Sequence, residues 1–132
     1  MVIDTSALVA VLLDESERPA LAAAITADPR RLVSAATLVE ASLVIESRRG
    51  EIAGRELDLL LHRIAADVVA VTESQAETAR RAWRRFGKGR HVAGLNYGDC
   101  FSYALAVELA EPLLFKGDDF SQTDVAVVAW RQ

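Results

Sequence analysis

Short β-rich runs alternate with longer helix-period stretches along the whole 132-residue chain, and this alternation restricts the fold more than any other feature. Val2-Ile3 opens as a strand without a lead-in. Arg31-Leu32-Val33-Ser34, Val68 to Val71 and Leu113-Leu114-Phe115 read as further strands, and Val125 to Trp130 as a last, edge strand. Helical stretches lie between them. The first runs from Thr5 to about Leu13, with Thr5 or Ser6 as its cap, and the second follows Ser16 and ends before Pro29. Thr37 to Arg49 is stopped by Gly50, and Gly54 to Ala66 carries Leu57, Leu60, Leu61 and Ile64 on one stripe. Ser74 to Phe86 is broken by Gly87-Lys88-Gly89, and Asn96 starts a last helix to about Leu109. Parallel strands need long crossover connections, usually helices. The pattern predicts an α/β domain with a mainly parallel central sheet. No repeat, low-complexity tract or linker interrupts it, so residues 1–132 are expected to form a single domain.

Composition narrows the possibilities. Half of the chain is apolar (52%) but only 6% is aromatic, so the core is built mostly from Ala, Leu, Val and Ile. No apolar run approaches the roughly 20 residues of a membrane span. Met1-Val2-Ile3-Asp4 has no basic leader, so no secretory signal is read there. Cys100, the single cysteine, has no internal disulfide partner, which fits a reducing cytoplasm. The net charge of −4 argues weakly against nucleic acid, but the distribution of charge matters more than its sum.

Four acidic positions stand out. Asp4 lies just after the first strand, and open parallel sheets bind ligands beyond the carboxyl ends of their strands. The same position also serves to cap the following helix. Glu40 sits in Leu38-Val39-Glu40-Ala41-Ser42-Leu43-Val44-Ile45, apolar on nearly every side, so the helix is expected to be buried. A buried carboxylate needs a cation, hydrogen bonds or a raised pKa, and a salt bridge to an arginine would equally serve. Asp99 stands three residues after Asn96, where an acid completes a capping box and favours the helix dipole. It also points at the helix mouth, and Ser102, one turn later, is placed to orient it. The fourth candidate is Asp118 or Asp119, in a Gly-containing turn after a strand. Such a cluster repels itself strongly without a divalent cation. Hard oxygen ligands without histidine suit Mg²⁺ or Mn²⁺, whereas zinc is disfavoured by the absence of a Cys pair and of HExxH.

Six of the 15 basic residues fall between Arg80 and His91, with no acid among them. Arg81, Arg84, Arg85 and Lys88 are spaced to share one helical face and, with Arg90, are candidates to grip RNA phosphates or a partner's acidic groups. An ordinary solvated face remains the alternative. Trp83 and Phe86 are suited to base stacking or to a core. Cys100 has no histidine placed to activate it and reads as a packed core thiol.

The acidic motifs carry a family likeness. Val2-Ile3-Asp4-Thr5-Ser6-Ala7-Leu8-Val9 resembles the opening of a PIN domain, Leu38-Val39-Glu40-Ala41 its second acidic motif, and Leu95-Asn96-Tyr97-Gly98-Asp99-Cys100 its third. Leu113-Leu114-Phe115-Lys116-Gly117-Asp118-Asp119-Phe120 resembles its last strand and loop. Order and spacing match over nearly the whole chain, and the small size points to the VapC toxin branch. The resemblance implies a three-layer α/β/α domain, Mg²⁺-dependent RNA cleavage leaving 5′-phosphate and 3′-hydroxyl ends, a homodimer, and inhibition by a VapB-type antitoxin. On this reading Asp4 and Asp99 hold the metal directly, with Glu40 and Asp118 acting through water or a second ion. Many relatives place an acid three residues before the phenylalanine, where this chain has Gly117, and Asp118 would stand in for it.

Two other classes compete. A receiver-like phosphotransfer domain would pair the acids with Lys116, but gives no reason for Glu40 in an apolar helix or Asp99 at a helix start. A non-enzymatic RNA- or protein-binding module would need no Mg²⁺.

Overall fold

A computed structural model describes residues 1–131. Four parallel strands, β1 (Val2–Ile3), β2 (Leu32–Ser34), β3 (Asp67–Val69) and β4 (Leu113–Leu114), form one sheet in the order β3-β2-β1-β4. Helices α1 (Thr5–Leu12) and α2 (Arg18–Ala27) connect β1 to β2, and α3 (Ala35–Arg49) and α4 (Glu51–Arg63) connect β2 to β3. The chain then crosses the other face through α5 (Glu73–Phe86) and α6 (Tyr97–Leu109) to reach β4.

The side-chain period of two divides the sheet between two cores. Val2 pairs with both Leu32 and Leu113, and all three point into the layer of α5 and α6 with Ala82, Phe86 and Leu105. Ile3, Val33 and Leu114 point the opposite way, against Leu8, Leu21, Ile45 and Leu57 of α1 to α4. Helices on both faces of a wholly parallel sheet give the expected three-layer α/β/α sandwich. Both strand faces are buried, which is why β1 and β4 carry no polar residue.

The expected helices are all present, with shifted ends. Gly50, at φ +81°, both stops α3 and starts α4, so that α4 begins at Glu51 rather than Gly54. The cap of α1 is Asp4, not Thr5 or Ser6: its backbone is extended and its carboxylate accepts from Ser6 N. The expected strand at Val125 to Trp130 does not form. The backbone there meets β4 only at Leu113, whose N–H donates to Ala126 O at 2.8 Å and whose carbonyl accepts from Val128 N at 3.0 Å. Pro112 turns its carbonyl to the other side, where it accepts from Val2 N at 2.8 Å. No helix among the described residues is long and apolar enough to cross a membrane.

Candidate active site

The strand order reverses beside β1, which lies between β2 and β4, with the crossover helices on opposite faces. Such a switch point opens a crevice beyond the strands' carboxyl ends, and the chain places acids there. Asp4 follows β1 directly, and Asp118 and Asp119 lie in the loop after β4. Glu40 reaches in from α3 and Asp99 from the first turn of α6.

Asp4 is 2% exposed and fully engaged. Its Oδ2 accepts from Ser6 N at 2.9 Å and from Ser6 Oγ at 2.6 Å, and its Oδ1 accepts from Ser102 Oγ at 2.6 Å. Behind it, Ser102 Oγ lies 3.2 Å from Thr37 Oγ1 on α3, and Ser6 Oγ accepts from Lys116 N at 3.0 Å. Ser102 therefore orients Asp4 and not Asp99, because it lies on the face of α6 that packs on β1. Ser6 reaches Asp4 locally, two positions on, whereas Thr37 joins the site through Ser102, 65 positions away, which no spacing rule connects.

Glu40 departs from expectation. Only Thr37, Ala41 and Ile45 of α3 are buried, whereas Val39 and Leu43 are 58% and 63% exposed. Glu40 itself is half-buried, with its carboxylate laid against Gly98 so closely that a Cβ at position 98 would collide with it. A glycine in the first turn of α6 thus admits the carboxylate of another helix beside Asp99.

Asp99 is the most perturbed acid. Asn96 caps α6 and a reciprocal box forms as expected: Asp99 N donates to Asn96 Oδ1, and Asn96 N to Asp99 Oδ2, each at 2.9 Å. Burial pushes the Asp99 carboxyl up to about 7, and repulsion from Asp4, Asp119 and Glu40 adds to it, against the lowering effect of the Asn96 N–H. The loop after β4 distinguishes its two acids. Asp118 turns outward to Arg131, 2.8 Å away, whereas Asp119 is the one whose charge reaches Asp99.

This donor set suits a hard cation. Among the described residues no three acid, thiol or imidazole side chains stand close enough to form a ready-made ion cage. Mg²⁺ usually keeps several waters and takes only one or two carboxylates, so dispersed acids fit it better than a contracted cage. Thr5 Oγ1, next to Asp4 in the chain, is the one buried side-chain polar atom without a partner among the described residues, a position a bound water would satisfy. Lys116 is not turned to the acids. Its ammonium is paired with Glu15 and with Glu17, the latter at 3.1 Å, which removes the cation a receiver-like site needs.

The basic stretch of α5 does not present one face. Arg80 and Arg84 border a cleft facing the start of α6, while Arg81 and Arg85 border a second one beside Tyr103 and Asp124. Arg85 is neutralised there by Asp124 at 2.9 Å, whose carboxylate Tyr103 Oη also holds at 2.6 Å. Lys88 and Arg90 are exposed after the helix, and the Arg90 guanidinium lies 4.1 Å from the centroid of the Trp83 ring. Cys100 is buried and its thiol is pushed up to about 11, mainly by burial, consistent with a core role.

Comparison with known proteins identifies the family. The PIN domain family matches residues 1–126. The chain is 62% identical over 129 residues to "Ribonuclease VapC30" of Mycobacterium tuberculosis, covering 98% of both chains. It is 61% identical over 128 residues to "Ribonuclease VapC" of Mycolicibacterium smegmatis, covering 97% of this chain and 99% of that one. Among solved structures, Mycobacterium tuberculosis VapC20, described as a sarcin–ricin loop cleaving toxin, superposes with a TM-score of 0.79 at 18% identity over 96% of this chain and 97% of that one. VapBC2 from Rickettsia felis, solved with a DNA fragment from its promoter, gives 0.76 at 11% identity over 98% of both chains. These two show a shared fold. The family match over residues 1–126 and the sequence identity over nearly the whole chain establish that the chain belongs to the PIN-domain family and, within it, to the VapC ribonucleases.

Proposed function

We propose that this protein is a Mg²⁺-dependent endoribonuclease and the toxin of a VapBC-type toxin–antitoxin pair. The observation that carries the metal requirement is the convergence of acids from separate elements, with Asp4 at the end of β1, Asp99 in the first turn of α6 and the Glu40 carboxylate laid on Gly98 beside it; burial and the neighbouring charges push the Asp99 carboxyl up. A cation is what relieves that concentration of charge. Asp4 and Asp99 are the residues that would hold the ion, with Glu40 and Asp119 acting through its waters. When bound, such an ion acidifies water and stabilises charge on phosphoryl oxygens.

The chain's own residues do the rest. Ser6 and Ser102 lock both oxygens of Asp4, so this ligand is oriented before any cation arrives. Gly98 lets Glu40 stand at the mouth of α6. Arg84, Lys88 and Arg90, exposed on the way to the site, draw the RNA phosphates toward an otherwise repellent acidic crevice. Arg81 and Arg85 contribute from the second cleft, Arg85 less because Asp124 already pairs with it. The relatives' names as VapC ribonucleases support RNA as the substrate. Exposed Val39 and Leu43 on α3, with Ile52 and Leu59 on α4, support assembly with a second copy and a VapB-type antitoxin.

Incubation with total RNA, in Mg²⁺ or in EDTA, tests the reading. Discrete cuts with 5′-phosphate and 3′-hydroxyl ends are expected in Mg²⁺ only, and none from Asp99→Asn. Cleavage that persists in EDTA, or undiminished in the variant, rules the reading out.

A further inference from the structure

Between α5 and α6 lies a cleft that the metal chemistry does not use. It is about 500 Å³, within the range typical of ligand pockets. Its walls come from α5 and α6, with Trp83 on one side and Tyr97 and Phe101 on the other, above Ala79 and Cys100. Tyr97 is 80% exposed, although it belongs to the first turn of the helix that carries Asp99. Its ring is held edge-to-face on Phe101, with centroids 4.9 Å apart. Trp83 is 42% exposed, and its indole lies against the backbone of Gly87, where any Cβ would strike it. The rings are therefore ordered while part of each remains uncovered.

The charge of the rim identifies the occupant. Arg80 and Arg84 border the cleft, Arg90 stacks its guanidinium on Trp83, and no carboxylate lines it. Glu77 offsets Arg80 through a 2.6 Å ion pair, leaving Arg84 and Arg90 as the stronger anion contacts. Arg90 over the indole shows that this ring already accepts a flat, delocalised group. Aromatic faces interleaved with arginines are the chemistry by which proteins hold single-stranded nucleic acid, rings taking bases and guanidiniums taking phosphates. Tyr97 and Asp99 both belong to the first turn of α6 but, two positions apart, project to different sides of it, so a base held here belongs to a nucleotide of the same strand beyond the cleaved bond, on the other side of that turn.

We propose that the α5–α6 cleft is a base-binding subsite: it stacks an unpaired nucleobase of the substrate strand on Tyr97 and Trp83, with Arg84 and Arg90 on the adjoining phosphates. This deepens, and rests on, the ribonuclease reading. It makes the choice of RNA site depend on one unstacked base as well as on access to the metal.

The test measures binding separately from cleavage. In a Trp130→Phe background Trp83 is the only tryptophan. The further change Asp4→Asn, with EDTA present, prevents turnover. Adding a short unpaired oligoribonucleotide of mixed sequence should quench Trp83 fluorescence. Tyr97→Ala should weaken that binding roughly tenfold and Tyr97→Phe should restore it, since a stacked base contributes on this scale. Arg84→Glu should weaken it and flatten its salt dependence. Tyr97 is so exposed that its replacement leaves folding intact, which circular dichroism verifies. Quenching with that variant order supports the subsite even if the wild type shows no Mg²⁺-dependent cleavage, in which case only the nuclease reading falls. Where the wild type cleaves, equal affinity and equal KM for Tyr97→Ala overturn the subsite. Quenching that rises with protein concentration in the absence of RNA also overturns it, because the cleft is then an interface between copies.

Discussion

The carboxylate of Glu40 occupies the volume that any side chain at position 98 would need. Two helices that are distant in sequence thus meet at a glycine, and function and stability pull in opposite directions there. Gly98→Ala removes a poor helix former, a change of about 1 kcal/mol in favour of the helix, but drives the Glu40 carboxylate aside. The expected result is a protein at least as thermally stable as the wild type with cleavage reduced at least about tenfold. A Tm measurement beside an RNA-cleavage assay checks both halves.

Asp4 has separable structural and chemical roles. Asp4→Asn keeps a cap oxygen and most of its hydrogen bonds, so it should fold normally and lose Mg²⁺-dependent cleavage. Ser102→Ala removes a donor from a buried carboxylate. It should cost about 1–2 kcal/mol and lower activity only partially, because Ser6 still holds the other oxygen. Denaturant titration and single-turnover cleavage distinguish the two variants.

The raised carboxyl of Asp99 has a definite sign in pH. Its folded pKa, about 7, lies above the 3.8 of an ordinary aspartate, so folding binds its proton more tightly. Its contribution to stability is complete below about pH 4 and is lost as pH rises through about 7. The metal-free protein should therefore melt at a lower temperature at pH 8 than at pH 6, and Asp99→Asn should lack that component. Mg²⁺ competes with the same proton, so the Tm increment on adding it should be larger at pH 8. Equal increments at both pH values contradict Asp99 as a ligand.

Asp118 and Asp119 are adjacent but differently placed. Asp118→Asn removes only an exposed pair with Arg131, with an expected effect of less than about 1 kcal/mol on stability and little on cleavage. Asp119→Asn should lower the pKa of Asp99 by removing a neighbouring charge, and should weaken Mg²⁺ binding and activity. NMR titration of Asp99 in the two variants reads the difference directly.

Much of this was legible in the sequence because it is local. The strand–helix alternation, the Asn96–Asp99 box and the position of Asp4 after a strand each follow from a few neighbouring residues. The burial of Glu40 was not legible. Its apolar neighbours Val39 and Leu43 look like core residues in sequence, and only the packed layers show that they face outward. The choice between Asp118 and Asp119 depends on the loop conformation after Gly117, at φ +108°, which residue types do not specify. Ser102 reaches Asp4 across 98 positions, a contact that only the sheet order creates. The last segment, apolar enough to read as a strand, meets β4 at the single residue Leu113, a register that residue types do not specify.

The order of the strands also has a consequence in time. β1 is synthesised first yet lies inside the sheet, and its outer neighbour β4 is synthesised last. Asp4 N donates to Leu114 O and Ser6 Oγ accepts from Lys116 N, so the first acid is seated by nearly the final part of the domain. A nascent chain emerging from a ribosome holds Asp4 without its support and has no Asp119 at all. An acidic site arranged in this way is complete only once β4 has inserted beside β1.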